Sequence, residues 1–248
     1  MAVERMLRFR TVGALAPAEQ QRLEAAIHQH RNVGPRRTVV REGEPLDEST
    51  LLVDGFMARC IDDRAGYRQV VAVHVPGDFV DLHAYPLKHL DHDVITLTAV
   101  RIATVPHAEL DRIQREWPEL ARTLWAATLL DAAVHRQWVF RQGRLDATGR
   151  IAHFLCEMNA RLFAIGLSDG LNFTLPLTQA DIAEACGLTA IHVNRVLREL
   201  RTAGICTLRS GKATVHRGAD LVAIGQFDPA YLYLDALVVG RLKALGVA

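Results

Sequence analysis

One run constrains this chain more than any other: Leu177-Thr178-Gln179-Ala180-Asp181-Ile182-Ala183-Glu184-Ala185-Cys186-Gly187-Leu188-Thr189-Ala190-Ile191-His192-Val193-Asn194-Arg195-Val196-Leu197-Arg198-Glu199-Leu200. It holds two short helices, each with its own cap. Thr178 is placed to accept from first-turn amides with Asp181 three residues on, and Thr189 caps the second helix in the same way. Gly187 closes the first helix, because a sharp turn there requires the left-handed conformation that glycine tolerates. Ile182, Ala183, Cys186, Leu188, Val193, Val196 and Leu197 supply apolar faces that lock the pair together, and the small Ala183 allows close approach. The pattern predicts a helix-turn-helix.

Such a unit binds DNA if it offers cations for phosphates and polar side chains near the start of its second helix for base edges. Residues 190–217 hold Arg195, Arg198, Arg201, Arg209, Lys212 and Arg217 against a single acid, Glu199. His192, Asn194 and Arg195 lie within the first two turns, where Asn reads adenine and Arg reads guanine bidentately. The candidate DNA-contacting residues are therefore Thr178, Gln179, Thr189, His192, Asn194, Arg195, Arg198, Arg209 and Lys212. The competing reading is a solvated basic face on a structural helical hairpin. Whole-chain charge does not choose between them: 29 Lys+Arg stand against 28 Asp+Glu in 248 residues, so any attraction to nucleic acid must be local.

The rest of the chain falls into regimes. A short amphipathic helix is predicted around Pro17 to His30. From about Arg37 to Val105, β-rich runs alternate with turn signals at Arg41-Glu42-Gly43-Glu44-Pro45, Asp54-Gly55, Asp62-Asp63-Arg64-Ala65-Gly66 and Pro76-Gly77-Asp78. Short strands at this spacing bury a face by curling onto one another, as a compact antiparallel barrel or sandwich. Residues from about Ala108 to Gln142 read as helix, with Leu120, Leu124, Ala127, Val134 and Trp138 in a 4,3 spacing that Asp131 shares. This predicts a dimer seam in which a buried Asp131 must meet a side chain, water or ligand; the alternative is a helix packed on its own barrel. Gly143 is expected to end that helix. Beyond it come a helix, a short strand at Asn172 to Leu175, the two capped helices, a hairpin of Cys206–Arg209 and Ala213–His216 around Ser210-Gly211-Lys212, and a closing helix after Pro229.

A composition of 50% hydrophobic and 23% charged residues describes a globular chain. Met1 to Arg10 carry three arginines and no apolar core, and no stretch of 18 uncharged apolar residues occurs, so a cytoplasmic protein is expected. Cys60, Cys156, Cys186 and Cys206 are too scattered for a disulfide or zinc framework and read as buried thiols, with a redox role as the alternative. His83, His89 and His92 with Asp91 and Asp93 have no standard ligand spacing, so no metal residue is assigned. A cupin-like metal-dependent enzyme fits poorly: the one His-x-His, His28-Gln29-His30, falls on the predicted early helix, and no nucleophile elbow, phosphate loop or dinucleotide fingerprint is present. No catalytic residue and no cofactor are assigned.

On the run Leu-Thr-Gln-Ala-Asp-Ile-Ala…Gly-Leu-Thr…His-Val-Asn-Arg-Val-Leu, with Gly43-Glu44-Pro45, Gly55 and Pro76-Gly77-Asp78 before it, the chain resembles Crp/Fnr-type transcription regulators over essentially its full length. The resemblance implies an α+β fold: an N-terminal antiparallel β-roll of the cyclic-nucleotide-binding type over residues 1–107, a dimerisation helix over 108–143, and a C-terminal winged helix-turn-helix over 144–248. It implies a homodimer on a palindromic duplex, with RNA polymerase and a small-molecule effector as further partners and no membrane. Arg195 matches the family's base-contacting arginine. Where many members place a second reader, a glutamate, this chain has Ile191, preceded by Ala190. In cyclic-AMP-binding members an arginine after the Gly-rich turn holds the phosphate, but no arginine occurs from Gln69 to Val100, and Lys88 is a poorer geometric substitute. Asp81 matches the family's acidic position, and Asp81, Leu82, His83 and Asp131 are the candidate effector-pocket residues. Cyclic AMP is then not expected in the usual mode; a cyclic-nucleotide- or dinucleotide-gated regulator with other contacts is the alternative. The cysteine cluster by which oxygen-sensing members hold iron–sulfur is missing from the N-terminus.

Overall fold

Strands of three to seven residues cannot bury a face singly, and here they do so in two sheets. The computed structural model describes residues 2–11 and 15–248; Met1 and residues 12–14 lie outside them. A 3-10 turn (Ala2–Arg5) and helix α1 (Pro17–Ala26) precede strands β1 (Gln29–Val33), β2 (Thr38–Val40), β3 (Glu48–Asp54), β4 (Met57–Asp62) and β5 (Arg68–His74). The short helix α2 (Ala84–Leu87) then leads to β6 (Asp93–Thr96) and β7 (Val100–Pro106). One antiparallel sheet has the order β1-β7-β3 and the other β2-β6-β4-β5. Val40, Leu52, Met57, Val94 and Ile102, drawn from both sheets, pack into one core, which makes the expected roll. Gly55 between β3 and β4 has φ +87°, and a Cβ there would stand 2.4 Å from the carbonyl oxygen of Ala99.

Helix α1 stops at Ala26, short of the expected His30. The chain enters β1 at Gln29, so His30 lies on a strand, where β pairing with Ala103 overrides the helical pattern. The predicted single helix from Ala108 to Gln142 is two, α3 (His107–Glu116) and α4 (Pro118–Arg144). Trp117 has φ −131° and ψ 68°, as the residue before a proline is driven out of the helical region, and Pro118 then begins the next helix. Gly143 does not end α4; the helix runs through it to Arg144. In an exposed last turn, one glycine costs only about 1 kcal/mol of helix propensity.

The chain divides into two units, residues 1–132 and 133–248. In the first, Leu120 and Leu124 belong to a core with Leu51, Val53, Val105 and Ile113, and Ala127 packs against it. Leu120 and Leu124 of the stripe expected to form a dimer seam are thus buried against the roll of their own protomer, whereas Ala127 and Val134 are half-buried and Trp138 packs on Glu157 and Phe154 of the second unit. Asp131, in phase with that stripe, meets Arg59 of β4.

In the second unit α5 (Ala147–Ala164) is buried along nearly all its length, including Glu157 at 0% exposure. The Glu157 carboxylate accepts from Trp138 Nε1 at 3.1 Å, Arg161 Nη1 at 3.3 Å and the Tyr231 hydroxyl at 2.9 Å, which is how a buried acid is tolerated. Strand β8 (Asn172–Thr174), helices α6 (Gln179–Cys186) and α7 (Ala190–Thr202), and the hairpin of β9 (Cys206–Arg209) and β10 (Lys212–Val215) follow. β8 pairs with β10, giving a three-stranded wing of order β8-β10-β9. The turn is Ser210-Gly211 alone, both at positive φ, so Lys212 already stands on a strand. The C-terminal stretch is α8 (Gly218–Gly225), a 3-10 turn at Pro229–Leu232 and α9 (Ala236–Ala244), rather than one closing helix after Pro229.

Candidate nucleic-acid interface

The two capped helices form as their sequence dictates. Thr178 Oγ1 accepts from the Asp181 amide at 3.2 Å while Asp181 Oδ2 accepts from the Thr178 amide at 2.7 Å, a complete capping box. Gly187 ends α6 at φ +62°, and Thr189 Oγ1 accepts from the His192 amide at 3.3 Å to start α7. Val193, Val196, Leu197 and Leu200 are buried, which turns the opposite side of α7 outward.

That outward face carries Ile191, His192, Asn194, Arg195 and Arg198, all exposed. Asn194 Nδ2 donates to Gln179 Oε1 at 3.3 Å, so the start of α6 and the start of α7 share one surface. Arg195 Nε lies 3.8 Å from Glu199 Oε1, one helical turn on, and keeps 54% of its side chain in solvent. Arg209 and Lys212 flank the wing turn and are exposed. Arg217 is less available than its residue type suggested, since it pairs with Asp220, an acid just beyond the stretch weighed in the sequence. The structure thus gathers Gln179, Thr189, His192, Asn194, Arg195 and Arg198 on the α6–α7 surface and sets Arg209 and Lys212 on the wing. Thr178 caps α6 with its hydroxyl.

Arg141 supports this surface from below, and sequence reasoning missed it. It is fully buried at the end of α4, with its guanidinium 4.2 Å from the Trp138 ring centroid and 5.4 Å from that of Phe154. Its Nη2 donates at 2.8 Å to the carbonyl of Ala185, in the last turn of α6. An arginine surrounded by apolar helix residues is the only trace it leaves in the sequence.

The candidate effector residues meet a guanidinium that was not expected. Arg59 of β4 is 3% exposed; its Nε donates to the Val80 carbonyl at 2.7 Å and its Nη1 to Asp131 Oδ2 at 2.5 Å. An arginine therefore does reach the segment after Gly77, from another strand, and Asp131 of the same chain engages it. Asp81 is fully buried and accepts from the Thr50 amide at 2.5 Å; burial drives its carboxyl up to about 7 against that hydrogen bond. Burial, with Arg59 second, drives His74 down to about 4 and His83 down to about 3. Leu82 belongs to the core, and Lys88 stacks outside on Tyr85 at 5.0 Å. His92 pairs with Asp91 at 2.8 Å while Asp93 accepts from the Glu42 amide. Among the described residues no group of three or more His, Cys, Asp or Glu side chains is arranged to hold a metal ion, and no helix is long and apolar enough to cross a membrane. All four cysteines are buried free thiols; burial raises Cys186 and Cys206 to about 11 and Cys156 further still, which keeps them as unreactive thiols.

Residues 149–224 match the Crp-like helix-turn-helix domain and residues 30–116 the cyclic nucleotide-binding domain. Over 212 residues the chain is 25% identical to the transcriptional activator protein FnrL of Cereibacter sphaeroides, covering 84% of this chain and 85% of that one. It is 30% identical over 166 residues to the nitrogen fixation regulation protein FixK of Bradyrhizobium diazoefficiens, covering 66% and 64%. The solved structure of FixK2 from Bradyrhizobium japonicum superposes with a TM-score of 0.73 at 24% identity, covering 79% of this chain and 96% of that one.

Proposed function

Since this chain belongs to the Crp/Fnr family of transcription regulators, whose members bind DNA through the helix-turn-helix, we propose that it acts as a homodimer placing two α7 helices in successive major grooves of a palindromic site. The observation that carries this reading is the outward face of α7, where Asn194, Arg195 and Arg198 stand exposed beside the Gln179 end of α6. Asn194 and Arg195 read base edges; Arg198, Arg209 and Lys212 neutralise phosphates, and the amides at the capped helix starts, set by Thr178 and Thr189, add to the backbone contacts.

Two copies join along a face of α4 that the protomer leaves bare. Trp125, Leu129 and Val139 are 65%, 54% and 74% exposed and keep the 4,3 rhythm through Ala132 and Arg136. The seam is thus set one face round from Leu120 and Leu124. Residues 1–107 form the sensory part, and Asp131 of α4 already engages the Arg59 guanidinium that an anionic effector needs. We take the effector-free protein as the DNA-competent state, in which cyclic AMP is not bound in the usual mode. Once on DNA, it acts in the cytoplasm with RNA polymerase as its further partner.

Selection from a random duplex library by the purified, effector-free protein, at one fixed moderate salt concentration, tests this. An enriched palindrome is expected. Retention without a motif would sink the claim of ligand-free competence, and no retention would sink the DNA-reading assignment.

A further inference from the structure

Ile191 is 81% exposed, the most exposed large apolar side chain among the described residues. It contributes nothing to the packing of α7, whose buried stripe is Val193, Val196, Leu197 and Leu200. At three, four and seven residues before Asn194, Arg195 and Arg198, it belongs to their face instead. It stands in the first turn, where the helix begins with the small Ala190 and nothing bulky shields it. A β-branched residue at an exposed first-turn position brings no helix propensity, and a bare isoleucine amid charged groups is unfavourable in water. That cost is offset when something apolar covers it.

The surroundings say what that is. Arg195 and Arg198 on the same face select a polyanion as partner, and the apolar group that a polyanion offers on its readable edge is the C5-methyl of thymine in the major groove. We propose that Ile191 is a specificity-determining residue, reading one thymine in each half-site through van der Waals contact with its methyl group. A carboxylate at this position accepts from the cytosine amino group, which isoleucine cannot do, so the same step excludes cytosine. This inference rests on the DNA-reading assignment above and sharpens it.

The test removes only the methyl group. In the duplex selected by the wild-type protein, each half-site thymine is replaced in turn by deoxyuridine, and binding is measured at fixed salt. At one position, replacement is expected to weaken binding about fourfold per half-site, the worth of one buried methyl group. Ile191→Ala should bind the thymine and deoxyuridine duplexes equally there, and Ile191→Glu should move the preference to cytosine. Neither variant disturbs the buried stripe. Deoxyuridine indistinguishable from thymine at every position would overturn the proposal, as would a thymine preference undiminished in Ile191→Ala, while the selected palindrome itself leaves the DNA-reading assignment standing. If no duplex is retained at all, both fall together.

Discussion

The buried guanidinium of Arg59 on β4 and the carboxylate of Asp131 on α4 form an ion pair 72 residues apart in sequence, 2.5 Å from nitrogen to oxygen. Arg59 is 3% exposed and Asp131 28%, so the two sides of the pair are desolvated unequally. Removing the acid strands the buried cation, whereas removing both leaves an apolar contact. Asp131→Ala is expected to cost about 2 kcal/mol, below the roughly 3–5 kcal/mol of a fully enclosed pair, and Arg59→Met with Asp131→Leu to cost less than that single change. Urea unfolding of the three proteins decides it; a double variant less stable than Asp131→Ala would refute the stranded-cation account.

The buried titratable groups around this pair oppose one another with pH. His74 and His83 lie at about 4 and about 3 in the fold against 6.5 unfolded, so between these values the unfolded chain binds the extra protons and stability falls on acidification. Burial likewise lowers His107 and His153. Asp81 runs the other way: its carboxyl lies at about 7 in the fold against 3.8 unfolded, so it favours the fold as pH drops through that window. Each group is worth about 1.4 kcal/mol per pH unit, and the two histidines outweigh the one acid. Unfolding midpoints from pH 7.5 to 5 should fall, and fall more steeply in Asp81→Asn. A wild-type protein that gains stability on acidification would contradict this balance.

The proposed DNA contacts divide by chemistry. On that assignment Arg195→Ala removes a base reader and should cost about 1–3 kcal/mol on the selected duplex while relaxing one base step. Lys212→Ala, on the wing, should weaken matched and scrambled duplexes alike and flatten the salt dependence by about one ion. Titrations at several salt concentrations separate the two; equal losses on both duplexes from both variants would defeat the division.

What was legible in the sequence follows the range of the interactions. The α6–α7 unit was readable because its caps, Thr178 with Asp181 and Thr189 with His192, act within three residues, and its glycine turn is equally local. The roll was readable through its turns. Arg59 was not, because only the pairing of β4 between β5 and β6 brings it to Val80 and Asp131. Nor could spacing choose between the two apolar stripes of α4: Leu120-Leu124-Ala127 and Trp125-Leu129 both keep the 4,3 rhythm, and the core of the roll takes the first. Tyr231 donates to Glu157 across 74 residues, which tied the C-terminal segment to α5 where the sequence offered no reason for it. Tyr231→Phe leaves that buried acid one donor short, and is expected to lower the stability of residues 133–248 by about 1–3 kcal/mol without altering the selected motif.

The two stripes of α4 give opposite outcomes when broken. Leu124 is 8% exposed within the core of the first unit, so Leu124→Ala should cost about 2–4 kcal/mol of stability and leave the oligomeric state intact where the protein remains folded. Leu129 is 54% exposed and Val139 74%, so Leu129→Glu with Val139→Glu should change protomer stability little, because neither side chain packs in a core. In a dimer joined along that face, however, two copies of each glutamate meet across the seam, where like charges repel and desolvation is unfavourable. The doubly substituted protein is expected to sediment as a monomer and to lose the palindrome's affinity down to that of a single half-site, since linking two reading heads multiplies their binding. Analytical ultracentrifugation beside duplex titration reads both effects. A variant that stays dimeric would return the seam to another surface, and a wild-type protein that sediments as a monomer at binding concentrations would remove the homodimer altogether.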